Sequence, residues 1–122
     1  MIAYQPKTIL VVDDNIDLIA SAVNLLKNHG YETITAENAA EALNIIESGK
    51  HVDLIFTDVV MPGNVCSVEM AARARYIYPH IKVIFTSGYR DTLKMLLEDE
   101  VFLLKPYEFN SMLKTIEDVL NS

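Results

Sequence analysis

The sequence predicts an α/β fold, a flavodoxin-like doubly wound (βα)5 three-layer sandwich with five parallel strands in the order 2-1-3-4-5. Three observations predict it. Short apolar runs alternate with stretches of helical periodicity from one end of the chain to the other. The chain has 122 residues, enough for one domain with a sizeable core. Several of the apolar runs also end directly in a carboxylate, a threonine or a lysine. Alternating strand and helix patterns call for right-handed crossovers with helices covering both faces of the sheet. Five strands favour the doubly wound order in which the first and third lie side by side.

Ile9–Val12 is wholly apolar and reads as a strand buried on both faces. It runs straight into two adjacent carboxylates, Asp13 and Asp14. From Asn15 the period changes, and Ile16, Ile19, Val23 and Leu26 share one helical face, with Gly30 a C-terminal cap. Residues 31–36 form a second strand. Asn38 caps a helix whose inner face is Ala39, Ala42, Leu43 and Ile46, and Gly49 lies just past its end. Val52–Thr57 is a third strand, interrupted by Asp53 near its start and followed by Asp58. A loop with Pro62 and Gly63 leads to a helix over 67–78, stopped by Pro79. Val83–Thr86 is a fourth strand, 91–98 a short helix and Val101–Leu104 a fifth strand. The last helix, 108–121, turns Met112, Leu113, Ile116, Val119 and Leu120 inward.

In the predicted order, the ends of strands one and three flank the switch point where open α/β sheets bind ligands. Asp13, Asp14 and Asp58 therefore meet at one crevice. Three anions packed together repel and raise one another's pKa values unless a cation joins them. Oxygen-only ligands suit a hard ion such as Mg²⁺. Thr86, ending strand four, and Lys105, just past strand five, converge on the same edge. Singly, each has a plain structural role: an Asp after a strand often forms a turn, Thr86 is β-branched, and Lys105 could be solvated. Chance would have to bring all five to one edge.

The remaining candidates carry structural readings. Asp17 suits the positive end of the first helix. Cys66 reads as a small hydrophobe, the three histidines His29, His51 and His80 as surface groups, and the methionines as core filler. With one cysteine there is no internal disulfide, and no signal peptide or membrane span is evident, so a cytoplasmic location is expected. The chain is 51% apolar and 22% charged, with a net charge of −7. That charge argues against direct contact with nucleic acid or an anionic membrane.

The motifs "LVVDDN", "LIFTDVVMPG", "VIFTSGY" and "FLLKPY" resemble the receiver domain of two-component response regulators, from about Lys7 to Leu120. "DVVMPG" and "TSGY" are most similar to receivers attached to hybrid sensor histidine kinases. The resemblance implies that Asp58 is the phosphoacceptor and that Asp14 binds Mg²⁺ directly. Asp13 would bind it largely through water, and the carbonyl of Val60 would complete the set. Lys105 would pair with the phosphoryl oxygens, Thr86 would hydrogen-bond to the phosphoryl group, and Phe102 would be the switch aromatic. Partners would be a sensor histidine kinase or histidine phosphotransfer protein, and a downstream effector. Residues 1–122 would be a single receiver domain, with no effector domain after Ser122. A cis peptide is expected between Lys105 and Pro106, from the turn that Lys105 must make and from the resemblance.

Two departures stand out. Where most receivers place further glycines after "MPG", this chain has Asn64, Val65, Cys66 and Ser67, and the stretch from Gly88 to Phe102 is short. Two rival readings fit the residues less well. An Asp-nucleophile phosphatase would need a second Asp two residues after Asp13, where Asn15 stands; a nucleotide or flavin site would need a phosphate loop after strand one, which has no glycine. A pseudo-receiver that binds without being phosphorylated is at odds with five chemically competent site residues.

Overall fold

The computed structural model describes residues 5–61, 63, 65–88 and 100–122. The elements are β1 (Thr8–Val12), α1 (Ile16–Asn28), β2 (Glu32–Ala36), α2 (Ala39–Glu47), β3 (Leu54–Asp58), α3 (Ser67–Ile77), β4 (Lys82–Ser87), β5 (Val101–Leu104) and α4 (Phe109–Leu120). The strands form one sheet in the order β2-β1-β3-β4-β5, every neighbouring pair parallel. This is the expected topology. The helix expected over 91–98 lies outside the described residues.

Strand alternation sorts the core into two layers. Leu10, Val12, Ile55, Val83 and Phe85 face α2 and α3, where Ala42, Ile46, Met70 and Ala74 meet them. Ile9, Val11, Leu54, Phe56 and Ile84 face α1 and α4, packing on Ala22, Leu26, Met112 and Ile116. The small residues on the helices let them sit close to the β-branched surface of the sheet. Capping follows the sequence. The side chains of Asn15 and Asn38 accept the backbone N–H groups of Leu18 at 3.1 Å and Glu41 at 2.8 Å. Gly49 ends α2 at φ 86°, a left-handed conformation that costs a residue without Cβ little.

Two expectations are corrected. Ile16 is not part of the inner face of α1: it is 66% exposed, because the first helical turn stands above the sheet edge. The buried stripe starts a turn later, with Ala22 and Leu26 at its centre. Cys66 is an exposed thiol rather than a packed hydrophobe; as the N-cap of α3 its Sγ accepts the Glu69 N–H at 3.4 Å. Among the methionines, Met70 and Met112 are core residues and half-buried Met61 packs against the core, as expected, while Met1 and Met95 lie outside the described residues. The three histidines are exposed as expected.

The strand boundary at Asp53 has a physical reason. β3 begins one residue later, and Asp53 fastens the lower end of the sheet. Its Oδ2 accepts the Thr8 N–H at 2.8 Å and its Oδ1 pairs with His51 Nε2 at 3.0 Å. Its backbone N–H reaches the Thr8 carbonyl at 2.9 Å, and its carbonyl accepts the Lys82 N–H at 3.1 Å. One residue thus joins β1, β3 and β4. At the other side of the sheet, Arg75 of α3 grips Glu100, which leads into β5, with two guanidinium–carboxylate bonds. Such paired, planar contacts are the stronger kind of ion pair.

Asp53→Ala should destabilise the domain by about 1–3 kcal/mol, since it strands the buried Thr8 N–H. Urea denaturation of the two proteins measures the difference; equal midpoints would show that the strap carries no stability.

Candidate functional site

Asp58 is the last residue of β3 and only 7% exposed, and Asp13, one residue past β1, is 5% exposed. Strand alternation places both on the α1/α4 side of the sheet, continuing the rows of Ile9 and Val11 and of Leu54 and Phe56. Asp14 is exposed beside them. One oxygen from each of the three carboxylates lies within 4.8 Å of the others.

A single cation holds the buried pair. Lys105 Nζ donates to Asp13 Oδ2 at 2.7 Å and to Asp58 Oδ2 at 3.0 Å. The remaining oxygens are met by backbone: Asn15 N–H donates to Asp13 Oδ1 at 2.9 Å, and Val60 N–H to Asp58 Oδ1 at 3.2 Å. Lys105 is itself fixed by its own N–H, which donates to the Ser87 carbonyl at 2.8 Å. The Lys105–Pro106 peptide is cis, as expected.

The electrostatics follow from this crowding. Burial pushes the Asp58 carboxyl above the ordinary carboxylate range; Lys105 opposes the shift and the Asp13 charge adds to it. For Lys105, burial pulls the ammonium down, but hydrogen bonds to Asp13 and Asp58 and their charges outweigh it, so its pKa is raised. The Tyr107 hydroxyl is pushed far above its usual value, first by burial and then by the charges of Asp13 and Asp58.

Thr86 is buried and is the register partner of Asp58 on β4, while its carbonyl accepts the Val59 N–H at 2.9 Å. The structure therefore brings Asp13, Asp14, Asp58, Thr86 and Lys105 together, and the backbone of Val60 with them. Phe102 lies apart from this group, 42% exposed on the edge strand. It is in register with Phe85, whereas Thr86 is in register with Leu103. Phe102 thus shares the α2/α3 face with Phe85, and Leu103 the opposite one.

Three contributors were not foreseen. Ser67, the first residue of α3, is buried and its Oγ donates to the Asp58 carbonyl at 2.6 Å; Thr57 Oγ1 donates to the same oxygen at 3.0 Å. These hydroxyls satisfy a carbonyl where the strand ends. Gly63, at φ 125°, supplies left-handed backbone in a loop that lacks the other expected glycines. Tyr107 is the third: its ring lies edge-on to Phe56, centroids 5.7 Å apart. A serine opening a helix and an aromatic two residues past a site lysine are the only sequence hints, and both are common elsewhere.

The donor set fits Mg²⁺. Three carboxylates with oxygens this close, and neither sulfur nor imidazole among them, suit a hard, oxygen-seeking cation. Asp13, Asp14 and Asp58 could hold such an ion.

The sequence matches the response regulator receiver domain over residues 9–117. The chain belongs to that family. It is a receiver domain of two-component signalling, a class phosphorylated on aspartate that partners with histidine kinases. It is 33% identical to sensor kinase CckA of Brucella abortus (strain 2308), over 93% of this chain and 12% of the kinase. It is 29% identical to the receiver protein CpdR of the same organism, over 93% of this chain and 97% of that protein. The solved receiver domain of hybrid histidine kinase CckA superposes with a TM-score of 0.79 at 31% identity, covering 93% of this chain and 98% of that one. The response regulator TrrA of Thermotoga maritima, solved with Mg²⁺ and BeF, gives a TM-score of 0.80 at 31% identity with the same coverage. Among the described residues, no helix is long and apolar enough to cross a membrane.

A pH dependence of stability follows. A carboxyl whose folded pKa is raised contributes most below its unfolded pKa, and that contribution is lost as pH rises through the folded value. Asp58 therefore costs stability at neutral pH. Asp58→Asn should be more stable than the parent in EDTA, with the gap widening from about pH 3 to about pH 7. Denaturation midpoints across that range test it, and a constant gap would refute it.

Proposed function

We propose that Asp58 is the phosphoacceptor and that it takes its phosphoryl group from the phosphohistidine of a sensor kinase or histidine phosphotransfer protein. The observation that carries this reading is the ammonium of Lys105, held 2.7 Å from Asp13 and 3.0 Å from Asp58. An Asp58 carboxylate oxygen attacks phosphorus in line; the new O–P bond forms as the N–P bond breaks, and the electron pair leaves with the imidazole. Phosphoryl transfer asks the protein mainly for position and charge neutralisation. Lys105 supplies both, since it already touches the nucleophile and can follow the incoming oxygens. The Val60 N–H keeps one Asp58 oxygen aimed. Mg²⁺, held by Asp13, Asp14, Asp58 and the Val60 carbonyl, would supply further positive charge at the phosphoryl oxygens.

The acyl phosphate places about two negative charges where one stood. The Thr86 hydroxyl is the group proposed to meet them. Phe102 is proposed as the switch aromatic that reports the change to an effector. Because the two residues occupy opposite faces by register, their coupling runs through the β4–β5 ladder and Leu103. The likeness to the CckA receiver favours a kinase-linked phosphorelay, and the TrrA complex favours a metal-dependent site. An exposed single thiol, Cys66, suits a reducing compartment such as the cytoplasm, and the net charge of −7 disfavours direct binding to nucleic acid.

Acetyl phosphate or a phosphohistidine donor should add one phosphoryl group to the protein, only with a divalent cation. Asp58→Asn should gain none, because an amide is not a competent nucleophile here. Intact mass spectrometry reads the result; equal labelling of the variant would refute the assignment. It also separates this reading from a phosphatase, which would turn the donor over, and from a pseudo-receiver, which would not label. Asp14→Ala should weaken Mg²⁺ binding more than Asp13→Ala in a calorimetric titration. The reverse order would mean that Asp13 is the direct ligand.

A further inference from the structure

The segment that carries Lys105 is weakly held by its own backbone. Lys105 N–H bonds to the Ser87 carbonyl, but Glu108, the N-cap of α4, gives the helix no side-chain cap. Pro106 has no N–H to give. What ties this junction down is aromatic. Tyr107 stands edge-on to Phe56, with ring centroids 5.7 Å apart and planes at 89°. It also stands edge-on to Phe109, at 6.1 Å and 82°.

Both contacts lead to the site. Phe56 is 3% exposed and precedes Asp58 by two residues on β3, so the two share a face of the strand. Phe109 is the first residue of α4. The Tyr107 ring is therefore wedged between the strand that bears the nucleophile and the helix that follows the lysine. Edge-to-face rings fix distance and angle more narrowly than aliphatic packing does.

We infer that Tyr107 is a positioning residue for phosphoryl transfer, holding Lys105 at its distance from Asp58 through ring contacts with Phe56 and Phe109. The inference rests on the reading that Lys105 serves the phosphoryl group. Tyr107 touches no reacting atom in this role; it acts through the lysine. Displacing a catalytic group by about 1 Å can cost on the order of a hundredfold in rate, and a loosened but tethered lysine should cost less.

The test is a double-mutant comparison of phosphorylation rate with acetyl phosphate and Mg²⁺, with urea denaturation alongside. Tyr107→Leu should lower the rate by roughly tenfold, and Tyr107→Phe, which keeps both ring contacts, should recover most of that loss. In a Lys105→Ala background, Tyr107→Leu should lower the rate no further, although its effect on the unfolding midpoint persists. A merely structural role would give the same rate loss in both backgrounds, and that outcome would overturn the inference, as would an unchanged rate in Tyr107→Leu alone. If Tyr107→Leu does not fold, Phe109→Leu loosens the same wedge from the helix side and must show the same dependence on Lys105. Should Lys105→Ala itself leave the rate unchanged, both this inference and the assigned role of the lysine fall. Labelling lost in Asp58→Asn would still stand.

Discussion

One ammonium group lets two buried carboxylates share the mouth of this sheet. Without Lys105, Asp13 and Asp58 would face each other nearly dehydrated, and like charges so placed drive one of the pair to keep a proton. The requirement shapes much that surrounds them. β5 exists at the edge of the sheet to deliver a lysine across β4, and its last turn outward is anchored on Ser87. Backbone N–H groups of Asn15 and Val60 take the oxygens that the lysine leaves. The loop after β1 and the loop after β3 are thus partly built by the charges they surround.

The site is poised rather than relaxed. Lys105 is raised in pKa by its partners, yet Asp58 still rises because burial outweighs the help it receives. Three negative groups set against one positive leave the cluster short of cation. That is the physical basis on which a hard divalent ion can be drawn to this place. Such an ion would add the missing charge, and with it the ion and the lysine would offer the proposed phosphoryl group a shared positive target.

Much of this was legible in the sequence because the relevant signals are short-range and redundant. Apolar runs of β-branched residues marked the strands, Asn15 and Asn38 marked helix starts, and the polar residues closing four of the runs fell at one sheet edge by topology alone. The misreadings have a common cause. Ile16 obeys the helical period of Ile19 and Val23, but period says nothing about where along a helix the sheet begins. Cys66 looked like a small hydrophobe because composition favours that role; only the path of the loop turns it into a cap. Ser67 and Tyr107 act across distances of nine residues and fifty-one residues to Asp58 and Phe56 respectively, and no periodicity encodes such pairs. Asp53 was visible as an interruption, but its meaning as a clasp needed the neighbouring strands.

The main chain at Asp58 is pinned from several sides. Its carbonyl receives hydroxyls from Ser67 and Thr57, and the next N–H is tied to β4. A blow struck on the side chain therefore meets an anvil. If Asp58 is the phosphoacceptor, charge arriving there would meet a strand end held in place, and the response would fall on the Thr86 hydroxyl of the adjoining strand, the Lys105 ammonium and the outermost strand of four residues. Stiffness at the point of impact would then keep a small chemical event from dissipating where it occurs, and send it outward to the edge of the sheet.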